Sequence, residues 1–239
     1  MKITKFPQSN FLIEENNTRI LIDPGYLTFE KFKTSDFGKL NAVLVSHRHF
    51  DHIDRQAAKI WQGKGVPIFG NFDVVQVLGE EDIKVNEIGI DQEFEIGALR
   101  IKTVDIPHCK LLFCKKCGKQ LPANELIPKI KKCKLHPQEE LSQVDGPPNY
   151  GFLIDDILFH PGDGTEIEGF SVENAFISIN GPTIDFDVAW KFAKNLEAKR
   201  VIPMHYSHPT FLADPVEFAK LAKPGVEVKI LADGESLEI

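Results

Sequence analysis

Residues 47–52 place three histidines and one aspartate within six positions, in the order His-Arg-His-Phe-Asp-His. The uniformly apolar run 42–45 precedes them, which is typical of a strand that is covered on both faces. A fold that buried so many polar groups would have to give each of them a partner. Imidazole and carboxylate are common ligands of zinc, iron and manganese, so the motif favours two neighbouring metal ions over a solvated loop.

The composition sets the class of protein. At 239 residues, the chain is long enough for one large domain or two small ones, and 42% hydrophobic and 26% charged residues are ordinary for a globular protein. No apolar run is long enough to cross a bilayer, and residues 1–7 lack a secretory signal, so we expect no membrane insertion and a cytoplasmic location. The net charge of −7 argues against non-specific coating of nucleic acid.

Strand-like and helical patterns follow one another in a similar order in the two halves of the chain. The predicted strands and hairpins cover residues 3–6, 11–14, 19–22, 42–45, 67–70, 94–106, 150–159, 175–179, 200–204 and 226–231. The predicted helices cover residues 51–62, 186–197 and 215–222. Hairpins followed by strand–helix alternation predict an α/β fold in which two sheets pack together with helices outside.

Three further candidate ligands come at or just after predicted strand ends. They are His108, Asp163 and His205. A rigid sheet positions the loops at its edge, so residues at several strand ends can converge on one site. Taken alone, each of the three would be an ordinary loop or core residue, and their placement together with the 47–52 motif is what favours a ligand role.

Together these residues resemble the metallo-β-lactamase superfamily. The resemblance rests on residues 22–25, 46–52, 107–108, 162–163 and 202–206, and it spans the chain apart from an insertion. It is closest to the branch that contains the ascorbate-6-phosphate lactonase-like and N-acylphosphatidylethanolamine phospholipase D-like hydrolases. The resemblance implies a four-layer αββα sandwich over residues 1–239, with metals at one edge of the two sheets.

The resemblance also implies a dinuclear site with two sets of ligands and one bridging carboxylate. The first set is His47, His49 and His108, the second is Asp51, His52 and His205, and the bridge is Asp163. Asp23, which follows an early strand, is implied to support these ligands from behind by accepting an imidazole N–H. We expect zinc at both positions, with manganese or iron as alternatives.

The implied chemistry is hydrolysis of an ester-type bond by a hydroxide that bridges two divalent ions. Asp51 and Asp163 are then the catalytic carboxylates, and whether Asp51 also relays a proton is left open. Tyr206 and His208 follow the last ligand and are candidate substrate-binding residues. The alternative is that Tyr206 is an ordinary aromatic residue at a strand end and His208 an ordinary surface histidine.

Residues 109–149 break the pattern and are predicted to be an insertion. Within it, Cys114 and Cys117 are followed by Cys133 and His136, which is the spacing of a structural zinc ribbon. A segment with little apolar content cannot bury a core of its own, so a third metal ion is expected to order it. The alternative is a flexible loop without metal. Cys109 is left over as a buried thiol, an active-site thiol or an alternative ligand.

The insertion is also strongly basic. Between Cys109 and His136 it carries one acid, Glu125, and eight lysines, namely Lys110, Lys115, Lys116, Lys119, Lys129, Lys131, Lys132 and Lys134. These lysines could attract a small anionic substrate such as a phosphoester, dock a partner, or form a solvated face.

Three classes of function remain at this point. The first is a metal-dependent hydrolase acting on a phosphodiester or a lactone. The second is a non-catalytic module that uses the zinc ribbon to bind nucleic acid or protein, although the complete ligand set speaks against lost catalysis. The third is a di-iron redox protein, which His49 disfavours because such members usually carry glutamate there. The sequence leaves the oligomeric state open.

Overall fold

The computed structural model describes residues 1–121, 125–127 and 130–239, so Lys129 lies outside the described residues. Two seven-stranded sheets form the body of the protein. The strands of the first sheet are β1 Lys2–Lys5, β2 Phe11–Glu15, β3 Thr18–Ile22, β4 Ala42–Val45, β5 Ile68–Gly70, β6 Asn86–Glu87 and β19 Ser236–Glu238. Those of the second are β7 Glu93–Ile96, β8 Leu99–Asp105, β14 Tyr150–Ile154, β15 Leu158–His160, β16 Asn174–Ser178, β17 Arg200–Met204 and β18 Glu227–Val228.

Each sheet begins with antiparallel hairpins and continues with parallel strands. In the first sheet β1, β2 and β3 pair antiparallel, and β3, β4, β5 and β6 pair in parallel. In the second, β7, β8, β14 and β15 pair antiparallel, and β15, β16, β17 and β18 pair in parallel. Parallel strands end at the same edge, and this arrangement brings their following loops together.

The main core lies between the two sheets. Phe11 of β2 stacks on Phe176 of β16 with 3.9 Å between ring centroids, and both side chains are fully buried. Alternate residues such as Ile13, Ile20 and Ile202 belong to the same apolar cluster. Strand periodicity therefore puts one face of each sheet into a shared interior.

Helices cover the outer faces and complete four layers. They are α1 Tyr26–Phe29, α2 Arg55–Gly63, α3 Phe72–Gly79, α4 Phe186–Asn195 and α5 Pro215–Lys220, with a 3-10 helix at Thr34–Phe37. Trp61 of α2 and Val74 of α3 pack against the first sheet, and Trp190 of α4 packs against the second. No helix in the described ranges is long and apolar enough to cross a bilayer.

Four elements, two helices and two strands, differ from the sequence predictions. Helix α2 begins at Arg55 instead of residue 51, because the Asp54 side chain caps it by accepting from the Ala57 N–H, and residues 51–54 remain a turn. Helix α3 was not predicted, although Asn71 caps it in the same way. The predicted strand 226–231 shortens to β18, while the unpredicted β19 pairs with β1.

The insertion forms small sheets of its own. Its strands are β9 Leu111–Cys114, β10 Lys119–Gln120, β11 Leu126–Ile127, β12 Lys132–Cys133 and β13 Ser142–Val144. Strands β10, β9 and β13 form one sheet, and β11 pairs with β12. The segment therefore has more regular structure than its sequence pattern indicated.

Candidate metal centre

The candidate ligands predicted from the sequence converge at one edge of the two sheets. Each side chain follows a strand: the 47–52 loop follows β4, His108 follows β8, Asp163 follows β15 and His205 follows β17. Their ligand atoms form two compact groups, in each of which all atoms lie within 4.8 Å of one another. One group is His47, His49, His108 and Asp163, and the other is Asp51, His52 and His205.

Asp23 fixes the loop that carries the histidine motif. Its carboxylate accepts hydrogen bonds from the Ser46 backbone N–H at 2.7 Å, the Ser46 hydroxyl at 2.6 Å and His52 Nδ1 at 2.7 Å. Asp23 is fully buried and lies at φ +50°, in the left-handed region that is uncommon for residues other than glycine. This strained position and three hydrogen bonds are consistent with the supporting role that the resemblance implied.

Hydrogen bonds to Nδ1 leave Nε2 of four histidines free to face the centre. Nδ1 of His108 donates to the Cys109 carbonyl at 2.6 Å, and Nδ1 of His205 donates to the Asn180 carbonyl at 2.7 Å. His52 donates to Asp23, as described above. Because the Ser46 hydroxyl gives its proton to Asp23, its oxygen accepts from His47 Nδ1 at 3.0 Å. The unprotonated Nε2 of each ring is the usual metal donor.

His49 differs from these four histidines because its Nδ1, and not its Nε2, faces the centre. Its Nδ1 lies 3.0 Å from His47 Nε2 and 3.3 Å from His108 Nε2. Three ring nitrogens thus point at one position, and they come from two segments of the chain that are 59 residues apart.

Asp163 lies between the two groups. Its Oδ1 is 3.3 Å from His52 Nε2, and its Oδ2 is 3.3 Å from His205 Nε2 and 3.6 Å from His108 Nε2. One carboxylate therefore reaches nitrogen donors of both groups, as expected of a bridging ligand.

The electrostatics differ between the two groups. Burial lowers the pKa of His47 well below 6.5 and the pKa of His49 to about 4, so both rings are neutral donors at neutral pH. Burial by itself would also lower the pKa of His52, but Asp163 and Asp23 outweigh it and raise that pKa well above 6.5. The second group therefore carries the negative environment that attracts a cation.

The donor set fits metal ions. His52 Nε2 and Asp163 Oδ1 are buried without a hydrogen-bond partner, although they face each other. Because the pKa of His52 is raised, Nε2 holds a proton between these two atoms when no metal ion is bound, and a cation can take the place of that proton and satisfy both of them. His47 Nε2 and His49 Nδ1 also face each other, 3.0 Å apart.

Asn149, which was not predicted from the sequence, holds two loops that carry candidate ligands. Its Oδ1 accepts from the Asp163 backbone N–H at 3.2 Å, and its Nδ2 donates to the carbonyls of Ile106 and Pro161. Gly162, at φ +58°, passes so close that an added Cβ would lie 2.2 Å from Asn149 Oδ1. A single asparagine after two prolines carries no sequence signal for such a role.

A second cluster lies in the insertion, where Cys114, Cys117, Cys133 and His136 meet. Cys117 Sγ is 3.4 Å from Cys133 Sγ and 3.1 Å from His136 Nδ1, which in turn is 3.7 Å from the other two sulfurs. Zinc bonds of about 2.0–2.3 Å in tetrahedral geometry separate donor atoms by about 3.3–3.8 Å. The observed spacings of 3.1 to 3.7 Å are close to that range, and Gly118 at φ +71° makes the tight turn. All four cysteines of the chain are free of disulfides, including the buried Cys109.

A cavity of about 170 Å³ opens beside the candidate metal centre formed by the two ligand groups. His208 lines it, whereas Tyr206 does not, because the Tyr206 ring packs against Lys5 and its hydroxyl donates to the Leu231 carbonyl. Of the two candidate substrate-binding residues, only His208 is therefore placed to meet a ligand. None of the described lysines of the insertion lines the cavity.

A family model described as "Beta-lactamase superfamily domain" matches residues 2–205. The chain belongs to this family. It is similar to a UPF0173 metal-dependent hydrolase from Pyrococcus horikoshii, with 28% identity and coverage of 94% of each protein.

Solved structures show the same fold. A metallo hydrolase from Ignicoccus hospitalis superposes with a TM-score of 0.72 at 23% identity, covering 100% of this chain and 98% of the other. A metallo-beta-lactamase fold protein from Bacillus subtilis gives a TM-score of 0.66 at 18% identity, covering 99% and 98%. The family model confirms the predicted superfamily, the solved structures confirm the α/β fold, and the relative supports a metal-dependent hydrolase.

Replacement of Asp23 by alanine is expected to weaken cation binding about tenfold to a hundredfold, because His52 and Ser46 lose their common acceptor. Competition with a fluorescent chelator measures this affinity. Ser46→Ala is the graded control and should lose less, since it keeps the hydrogen bond between Asp23 and His52. An Asp23→Ala variant that folds and binds cations as tightly as the parent protein would contradict the supporting role.

Proposed function

We propose that this protein is a dinuclear metal-dependent hydrolase that cleaves an ester-type bond. The observation that carries the proposal is the position of Asp163, whose two oxygens reach nitrogen donors of both ligand groups. When bound, a pair of cations lowers the pKa of a water molecule and stabilises the charge that develops on the bond under attack. Zinc is the expected ion, with manganese or iron as alternatives.

The side chains around the centre would position the ligands, accept a proton and bind the substrate. Asp163 is held by Asn149 and keeps the two donor groups in fixed relation. The side chain of Asp51 is 14% exposed and lines the cavity, so its carboxylate is the group placed to take a proton from the attacking water. His208 Nδ1 accepts from the Thr210 backbone N–H, so a neutral ring carries its proton on Nε2 as a hydrogen-bond donor for substrate.

We also propose that Cys114, Cys117, Cys133 and His136 bind a structural zinc ion, and that residues 109–149 are an insertion into one domain spanning residues 1–239. Thiolate ligands stay available in a reducing compartment, which supports a cytoplasmic location. The segment 202–206 supports placement in the lactonase-like and phospholipase D-like branch. A complete ligand set favours catalysis over a non-catalytic binding module.

Metal removal tests this proposal. We expect the purified chain to hydrolyse 4-nitrophenyl acetate or bis(4-nitrophenyl) phosphate, to lose the activity after dialysis against a strong chelator, and to regain it when zinc or manganese is added back. Activity that survives complete removal of metal would contradict the proposal. So would a chain that holds two cations at the centre and hydrolyses neither compound.

A further inference from the structure

The cavity beside the metal centre has a polar floor and an apolar wall. The floor consists of candidate ligands, among them Asp51, Asp163 and His205. The rest of the lining is mainly apolar and includes the side chains of Leu111, Leu121, Phe211, Phe50 and Pro182, which together are called the wall. The cavity thus offers hydrocarbon contact to whatever part of a substrate extends away from the reacting bond.

The insertion builds much of this wall. Leu111 begins β9, and Gln120 and Leu121 end the hairpin that β9 forms with β10, where Lys119 pairs with Cys114. The turn of the same hairpin holds Cys114 and Cys117. The proposed structural zinc would therefore stabilise the β9–β10 hairpin, which contributes Leu111 and Leu121 to the wall.

Hydrogen bonds also join the insertion to the loop 181–184 in the body of the protein. Lys131 Nζ donates to the Ile184 carbonyl at 2.9 Å and also to the Gly181 carbonyl, and Thr183 Oγ1 donates to the Lys110 carbonyl at 2.7 Å. Pro182, which lines the cavity, lies within this loop. These hydrogen bonds therefore hold the insertion next to a loop that also lines the cavity.

No lysine or arginine lines the cavity among the residues that the structure describes. Three lysines of the basic insertion have other partners: Lys110 pairs with Asp145, Lys119 pairs with Glu125, and Lys131 binds the backbone carbonyls. An anionic group placed against the apolar part of the lining would lose hydration without gaining an ion pair or a hydrogen bond from a basic side chain.

We propose that the cavity selects a compact, uncharged, mainly hydrocarbon group, so that the substrate is a carboxylic ester or lactone with such a group beside the reacting carbonyl. This inference rests on the proposed function and narrows its substrate class away from phosphoesters. A cavity of about 150 Å³ in another protein holds one benzene ring, so this one accommodates about six carbons. The basic insertion acts through its apolar residues, and its lysines serve structure and solubility.

Alkyl hydroxamates test the cavity without any turnover, because the hydroxamate chelates the metal pair and its tail extends from the same point as an acyl group. Binding of acetohydroxamate, butyrohydroxamate, hexanohydroxamate and octanohydroxamate to the metal-loaded chain is measured by calorimetry. We expect affinity to rise up to about fourfold for each added methylene as far as six carbons and then to level off. Flat affinities along the series would overturn the proposal.

Charge is tested with a matched pair of tails, 4-methylpentanohydroxamate and the monohydroxamate of succinate, which differ mainly in the terminal carboxylate. The uncharged tail should bind at least tenfold more tightly. Leu111→Arg should reverse that order, whereas Leu111→Met should preserve it, with metal content as the control for folding. Equal or tighter binding of the carboxylate tail to the parent chain would overturn the proposal.

The outcomes separate this proposal from the proposed function. If uncharged tails are preferred but no ester is hydrolysed, the preference of the cavity for an uncharged hydrocarbon group stands, whereas the hydrolase proposal and the assignment of an ester or lactone substrate fail. If esters are hydrolysed but the charged tail binds as well as the uncharged one, the hydrolase proposal stands and the cavity inference fails.

Discussion

Replacement of Asp163 by asparagine is expected to lower kcat/KM for ester hydrolysis by about a thousandfold or more. Two cations that clamp a developing charge contribute several kcal/mol to the transition state, and each 1.4 kcal/mol corresponds to about tenfold in rate. Asparagine has nearly the same shape, and the backbone contacts of this position with Asn149 and Cys109 involve no side-chain oxygen of residue 163. The fold is therefore expected to survive the substitution.

Elemental analysis gives a second readout for the same variant. Because Asp163 reaches donors of both groups, cation content at the centre should fall from two toward one or none, while the zinc of the cysteine cluster stays. Asp187→Asn, an exposed acid in α4, is the matched control and should change neither quantity. An Asp163→Asn protein that keeps two cations at the centre and stays within tenfold of the parent activity would show that no bridging carboxylate is needed.

Replacement of Cys114 or Cys133 by serine should remove one metal ion per chain and leave the two at the catalytic centre. Serine is a neutral, weaker ligand than thiolate, so the zinc affinity of the cluster drops sharply. Metal binding orders a small cluster of this kind, so the hairpin that carries Leu111 and Leu121 should loosen. We expect KM for an uncharged ester to rise about tenfold, which equals the loss of about 1.4 kcal/mol of wall contact, with a smaller change in kcat.

Limited proteolysis distinguishes this local effect from general unfolding. Trypsin should cut the serine variants after Lys115 or Lys116 while the parent protein resists cleavage there. Cys109→Ala is the matched control because Cys109 lies outside the cluster, and it should retain all three metal ions. Loss of all three ions from the Cys114 and Cys133 variants, or retention of all three, would contradict the division into two separate sites.

The sheet architecture could be predicted because its causes are local. Strand runs such as Ala42–Val45 are apolar at every position when both faces are covered, and the structure buries all four of these residues. Helix α3 was not predicted because eight residues are too few to show a clear helical periodicity, even though Asn71 is a capping residue. Strand β19 was not predicted because it pairs with β1 at the opposite end of the chain, and a local sequence pattern does not show such a distant pairing.

The candidate ligands could also be predicted, because each is a metal-binding residue type at or just after a strand end. The interactions that orient them could not. His108, His205 and Asn149 depend on backbone carbonyls or amides, and every residue offers those groups. The cavity wall could not be predicted for a related reason: Leu111, Leu121 and Phe211 are ordinary apolar residues in the sequence, and only tertiary packing brings them into one cavity with the candidate ligands.

The most direct test of the account is the position of the metal ions, measured by anomalous X-ray diffraction from crystals of the metal-loaded chain. We predict two peaks at the edge of the sheets, one among His47, His49 and His108 and one among Asp51, His52 and His205, with Asp163 in contact with both. A third peak should lie in the cysteine cluster. A fully active protein that shows one peak or none at the histidine centre would contradict the two-cation mechanism.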